Sequence, residues 1–198
     1  MANKIKYGLS RVHYAVATIA TDGTATYGTV KALPGAVSLS LDPQGDTTPF
    51  YADNIAYWTG ISNTGYEGDL EVAMLSDDFY KDCLGWQVDG GGVMYENTNA
   101  SPIHFALMFQ FEGDAEATRH VFYNCTATRP NIGSETQGET VEPGTETVTL
   151  TATSIHFASI DDDVVKAKAT ATDNATAYNA WFSAPYAITA TTSSTATT

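Results

Sequence analysis

The chain is poor in cations. Its 198 residues include nine lysines and arginines against 23 aspartates and glutamates, a formal charge of −14. A protein that coats duplex nucleic acid needs a basic patch, and an anchor for anionic lipid needs a polybasic segment, so neither role fits. Long hydrophobic runs are also missing. No window approaches the roughly 20 apolar residues of a membrane span. The start, Met1-Ala-Asn-Lys-Ile-Lys6, has no apolar stretch behind its lysines, so no signal peptide is expected. Cysteine is limited to Cys83 and Cys125, a weak disulfide framework. In a chain made in the cytosol both are expected reduced and buried.

The residues of common catalytic sites are equally sparse. His13, His104, His120 and His156 include no pair at i,i+2 or i,i+4 spacing, the spacing that shares a metal. There is no Gly-x-Ser-x-Gly and no defensible Cys–His pairing. Asp89-Gly90-Gly91-Gly92 lacks the spacing and the following lysine of a nucleotide loop. Acid pairs such as Glu112 with Asp114, or Asp161 with Asp163, fall in turn-like segments. An acid/base pair needs a cleft to shift its pKa, and the sequence offers none. Catalytic residues, cofactors and metal are therefore not expected.

What is present is strand pattern. An apolar content of 43% supplies a core, and the length suits one domain. We place that domain at residues 1–186, with an Ala/Thr/Ser-rich tail at 187–198 that reads as mobile. The centre is residues 103–128, two strands joined by the acidic turn Glu112–Ala117. Phe105, Leu107, Phe109 and Phe111 alternate on one face, as do Val121, Tyr123, Cys125 and Ala127. Ala106, Met108 and Phe122 make the other faces partly apolar as well. Such strands are covered on both sides, by a sandwich or barrel core or by a neighbouring subunit. If the hairpin turns near Ala115, His120 lies opposite Phe111.

Around that centre, Val12, Tyr14 and Val16 alternate toward Asp22-Gly23, a hairpin signal of type I′. Val37, Leu39 and Leu41 form a third strand, and Leu70, Val72 and Met74 another. Ser76 caps a short helix with Asp77 and Asp78 in its first turn, Phe79 and Cys83 on one face and Gly85 beyond its end. Residues 129–144 read as a loop whose core residues are Ile132 and Val141. Val148, Leu150 and Ala152 point inward from a strand whose outer face is Thr147, Thr149 and Thr151. Residues 164–168 read as a last strand or short helix, and 178–186 as a terminal anchor carrying Trp181 and Phe182. Residues 42–66 break the pattern and read as a long irregular loop. It carries Phe50, Tyr51, Tyr57, Trp58 and Ile61, aromatic-rich as interfaces are, and residues 46–66 are expected to order against a neighbouring subunit.

The order of these pieces resembles the major tail proteins of long, flexible, non-contractile bacteriophage tails, the phi13-type group. The matching pieces begin with Tyr7-Gly8-Leu9, Val12-His13-Tyr14-Ala15, Tyr27-Gly28 and Pro34-Gly35-Ala36-Val37-Ser38-Leu39. Tyr51-Ala52-Asp53-Asn54, Gly65-Tyr66-Glu67-Gly68-Asp69-Leu70-Glu71 and Asp78-Phe79-Tyr80-Lys81 with Leu84-Gly85 follow. Phe105-Ala106-Leu107, Phe122-Tyr123-Asn124-Cys125, Arg129-Pro130 and Trp181-Phe182 complete the series.

The resemblance implies a mainly β fold, an antiparallel sandwich or barrel with one short flanking helix, similar to the type VI secretion tube protein. It implies a structural virion subunit that self-assembles into stacked hexameric rings, the tube through which DNA is ejected. Its partners would then be other copies of itself, tape-measure, tail-terminator and tail-tip proteins, and duplex DNA in transit, with no membrane. Its place would be the virion tail, assembled in the host bacterial cytoplasm. Two acids on a strand face, Asp69 and Glu71, and the hydroxyl face Thr147, Thr149 and Thr151 are the candidates for the lumen. Two other classes remain open: a β-sandwich binding or adhesion module that forms no tube, and an unrecognised enzyme.

Overall fold

A computed structural model describes residues 5, 7–113, 116–134, 136 and 143–190. The chain is mainly β. Its strands are β1 (Leu9–Ile19), β2 (Ala25–Tyr27), β3 (Lys31–Ala32), β4 (Ala36–Gln44), β5 (Thr47–Ala52), β6 (Ile55–Ile61) and β7 (Gly65–Val72). After helix α1 (Asp77–Cys83) come β8 (Gln87–Val88), β9 (Met94–Tyr95), β10 (Phe105–Phe111), β11 (Arg119–Ala127) and β12 (Glu146–Thr153). Last are β13 (Ile155–Phe157), β14 (Asp162–Val164), β15 (Lys166–Ala169) and helix α2 (Ala175–Ala180). The main sheet runs β2-β1-β10-β11-β12-β7-β4, with β3 beside β1 and β15 beside β11. Each of its pairings is antiparallel.

The central hairpin β10–β11 is covered on both faces by the chain itself. Every residue from Phe105 to Gln110 is buried. Its alternation differs from expectation at one point. Phe105 pairs with Cys125 but Leu107 pairs with Phe122, so β11 carries one extra residue there. That bulge shifts the side-chain phase. Val121 and Tyr123 enter one core, and Phe122, Cys125 and Ala127 the other. The partners of β11 divide at the same place, with Arg119–Phe122 on β15 and Asn124–Ala127 on β12. His120 accordingly faces Phe109 rather than Phe111, and its ring stacks on Phe109 at 5.3 Å.

The first core lies inside the curl of the sheet. Tyr14, Leu70, Val72, Phe105, Leu107, Val148 and Leu150 fill it. Helix α1 adds Phe79, whose ring meets Tyr14 and Phe105 edge-on at 5.2 and 5.7 Å. The Ser76 hydroxyl accepts the Phe79 N–H at 3.3 Å, and Gly85, at φ 73°, turns the chain away. A helix of seven residues is not stable alone, so burial of Phe79, worth about 2–3 kcal/mol, holds it. The Tyr14 hydroxyl donates to Asp82, which also receives the Lys31 ammonium at 2.6 Å. Burial, followed by the Asp82 charge, pushes the Tyr14 phenol well above its ordinary value.

The second core holds Ala15, Ala106, Met108, Val121 and Tyr123 under Ile155, Ala169 and Trp181. The C-terminal segment straps it. The Trp181 indole donates to the His120 carbonyl at 3.2 Å, and the Tyr123 hydroxyl to the Tyr186 carbonyl at 2.9 Å. The terminal anchor is therefore present, and α2 is an addition to it. Both cysteines are free and buried, and burial pushes the Cys125 thiol up to about 12.

Several local expectations change. The Asp22-Gly23 hairpin forms, yet only Gly23 has positive φ, so the turn is not type I′. Strand β7 ends at Val72, leaving Met74 exposed while Leu75 takes the buried place. A bulge after Ala36 turns Val37 out to solvent. Ile132 is 95% exposed rather than a core residue. Residues 162–169 form two short strands. Val141, with Glu135, Glu139 and Glu142 of the same loop, the turn residues Asp114 and Ala115, and the tail beyond Ala190 lie outside the described residues.

Candidate interaction surfaces

The largest correction concerns residues 42–66, which are strand and not irregular loop. Strand β4 runs on to Gln44, and β5 and β6 pair as a separate two-stranded ribbon. Gln44 pairs with Gly65, Asp46 and Ser62 are hydrogen bonded, and Thr47 pairs with Ile61, so the ribbon prolongs the β4–β7 pair. Asp53 and Asn54, at φ 51° and 62°, make the two-residue tip between paired Ala52 and Ile55. Positive φ at both positions is the type I′ geometry, which Asp and Asn tolerate. That dipeptide was the overlooked hairpin signal.

All five residues expected at an interface lie on this ribbon and are exposed: Phe50, Tyr51, Tyr57, Trp58 and Ile61. Ile55, omitted from that set, joins them at 61% exposed. The register puts Phe50 opposite Trp58 and Ala52 opposite Ile55 on one face, and Tyr51 and Ile61 on the other. A bulge between Phe50 and Tyr51 accommodates Tyr57. The Trp58 ring covers Gly60, where an added Cβ would meet it at 2.5 Å. The ribbon thus shows apolar side chains on both faces. Its charged residues are Asp46 at the base and Asp53 at the tip, both acidic. A two-stranded hairpin in water is marginal by itself, which makes unpartnered aromatics here costly to leave in solvent.

The second surface is the outer face of β4–β7–β12. The structure brings Asp69, Glu71, Thr147, Thr149 and Thr151 together in cross-strand rows. Ser38 pairs with Glu71 and Glu71 with Thr147. Ser40, Asp69 and Thr149 form the next row, then Asp42, Glu67 and Thr151. Ser38, Ser40, Asp42 and Glu67 were missed, although they share the alternation that places Leu39, Leu41 and Leu70 on the core side. The Thr149 hydroxyl donates to Asp69 at 2.8 Å, and those of Thr145 and Ser38 donate to Glu71 at 2.7 and 2.9 Å. No lysine or arginine stands in these rows. Close approach of β4 to β7 depends on Gly68, where a Cβ would lie 1.9 Å from the Ser40 carbonyl oxygen.

A scan against protein-family models finds no match, and a search of curated proteins finds none. The surfaces must therefore be read on their own chemistry.

The hydroxyls of Thr145, then Ser38, hold the Glu71 carboxyl below the ordinary glutamate value. A carboxyl lowered in the folded state gives stability that is present above the unfolded value and is lost as pH falls through the folded one. Replacing Thr145→Val together with Ser38→Ala should return the Glu71 midpoint to the ordinary value in a carboxyl-detected NMR titration. An unmoved midpoint would show that the hydroxyls do not set it.

Proposed function

We propose that this chain is a self-assembling structural subunit of a tail tube, forming stacked rings through which duplex DNA passes, in the tail of a bacterial virus. The observation that carries this reading is the β5–β6 ribbon, whose six large apolar side chains are exposed. A protein that worked alone would bury them. Interfaces draw much of their energy from such aromatics, each worth roughly 2 kcal/mol or more at a hot spot. The resemblance in the order of sequence pieces points the same way. On this reading the subunit is not an enzyme. Its partners are other copies, the proteins that set tube length and close its ends, and DNA in transit. Hexameric rings are the expectation from the resemblance.

The acid and hydroxyl rows suit the wall of such a passage. Glu67, Asp69 and Glu71 stand two residues apart on one strand face without cations between them. That arrangement adds repulsion to the fold and is not needed for packing. Toward duplex DNA, which carries about one negative charge per 1.7 Å, it has a use: cationic contacts would release counterions and act as a brake, whereas carboxylates repel the polyanion. Hydroxyls keep the surface hydrated without attracting phosphate strongly.

Two experiments test the reading. The wild-type protein should form rings or filaments by negative-stain microscopy, and the double change Tyr57→Ala with Trp58→Ala should give a folded chain that forms neither. Normal tubes from the variant, or a wild-type protein that stays monomeric at high concentration and binds a sugar or peptide, would instead favour a binding module. For the lumen, Asp69→Lys with Glu71→Lys should leave assembly intact and slow DNA ejection from virions, with relief by high salt. Unchanged ejection kinetics in assembled tails would remove this face from the passage.

A further inference from the structure

Strand β11 changes partners at its bulge, with Arg119–Phe122 on β15 and Asn124–Ala127 on β12. Near that change a cleft of about 320 Å³ opens between β4 and the β10–β11 hairpin, on the side of the first core. Phe109 and Phe122, both buried, are the deepest residues of its lining. Phe111, His120 and Tyr66 line it further out and are half-buried. The His120 ring stacks on Phe109 at 5.3 Å and meets Phe111 edge-on at 5.4 Å, while Tyr66 meets Phe122 edge-on at 5.2 Å. One cation belongs to this aromatic lining. Lys166 is exposed, and its ammonium stands 4.2 Å from the Tyr66 ring centre and 5.8 Å from that of Phe122. Lys168 follows on the same face of β15, opposite His120. Lys31, Lys81 and Arg129 each reach a carboxylate. Among the described residues, Lys166 and Lys168 reach none within 4.0 Å.

We propose that this cleft binds a small amphiphilic carboxylate, its apolar body lying against Phe111, His120 and Tyr66 and its acid group on the Lys166 ammonium. The site is independent of the assembly reading. Three observations select this ligand. The first is size. Ligand pockets begin at about 300 Å³, so the cleft admits a small molecule and little more. The second is the lining. Aromatic rings with a few polar groups to fix orientation are the usual make-up of such pockets. The third is charge. The Lys166 ammonium already covers the Tyr66 ring, so a second cation would be repelled from the place where ring faces attract one. A neutral apolar body would leave Lys166 and Lys168 without a counter-charge. A carboxylate gives Lys166 the charge-assisted hydrogen bond that no described residue supplies. Asp42 also lines the cleft, from β4, which places the acid group of the ligand at β15 rather than along β4. The chain's charge of −14 repels anions at a distance, so a purely polar anion gains little here and the apolar body must supply much of the affinity. A bound molecule would touch β4, β7, β10, β11 and β15 together, and binding only to the folded chain it would stabilise it.

The test is NMR titration of the dispersed full-length chain with decanoate below its micelle concentration, beside decanol and acetate. The result expected is a set of nuclear Overhauser contacts from the decanoate chain to the rings of Phe111, Phe122 and Tyr66. Decanol, which lacks the charge, should bind about tenfold more weakly, and acetate more weakly still. Lys166→Gln changes an exposed position and should keep the circular dichroism of the folded chain, weaken decanoate about tenfold and leave decanol unchanged. Tyr57→Ala with Trp58→Ala should leave decanoate affinity as it was, because the ribbon is not the site. Contacts confined to the ribbon aromatics, decanol binding as tightly as decanoate, undiminished decanoate affinity in Lys166→Gln, or uptake only above the micelle concentration would each overturn the site. These outcomes leave self-assembly standing.

Discussion

Burial of the β10–β11 hairpin on both faces is the constraint that organises this protein. A strand pair covered on one side needs one core. A pair covered on both needs two, and this chain builds them from different parts of its sequence. Residues before Phe105 supply most of one core, by curling β7, β4 and α1 around Phe105 and Leu107. Residues after Ser154 complete the other, with β15 extending the sheet beside β11 and Ile155, Phe157 and Trp181 packing with Met108 and Tyr123. The bulge in β11 makes this possible, because it turns Phe122, Cys125 and Ala127 toward the first core while Val121 and Tyr123 serve the second. It also marks the point where β11 exchanges β15 for β12 as its partner.

Both cores are filled by residues of one chain. Among the described residues, the largest group of exposed apolar side chains is on the ribbon. The ribbon prolongs β4 and β7 without packing on either core, so its aromatics contribute little to the stability of the body. The acidic rows of β4–β7–β12 are likewise on the far side of a sheet whose inner side is already filled. The cores, the exposed aromatics and the acidic rows thus occupy separate surfaces, which lets the aromatics change without unfolding the body.

Much of the fold could be read in the sequence where alternation was regular. The inward residues of β12, Val148, Leu150 and Ala152, follow from period two, as do the outward threonines, and the helix cap at Ser76 follows from its residue type. Reading failed where the period was broken by backbone geometry. A bulge has no residue signature of its own, so the phase change in β11 and the outward turn of Val37 were invisible. The ribbon failed for a different reason. Strand assignment leaned on one polar and one apolar face, and here both faces carry apolar side chains, with Pro49 and Gly60 inside the strands. The aromatic set was found nonetheless, because an excess of aromatics in a segment with no core pattern is a signal that does not need the correct local structure. The acidic face was half found. Asp69 and Glu71 stood out on β7, but their cross-strand partners Ser38, Ser40 and Asp42 required the register.

On the proposed function, the ribbon folds with the chain and is completed only by other copies. Amide hydrogen exchange on dispersed and assembled protein tests it directly. Amides of β10 and β11 should be protected in both states, since their cores are internal. Those of β5 and β6 should exchange rapidly in the dispersed chain, where opening costs little, and become protected on assembly. Ribbon amides that remain fast in assembled tubes, or that are already as slow as β10 in the dispersed chain, would contradict the claim.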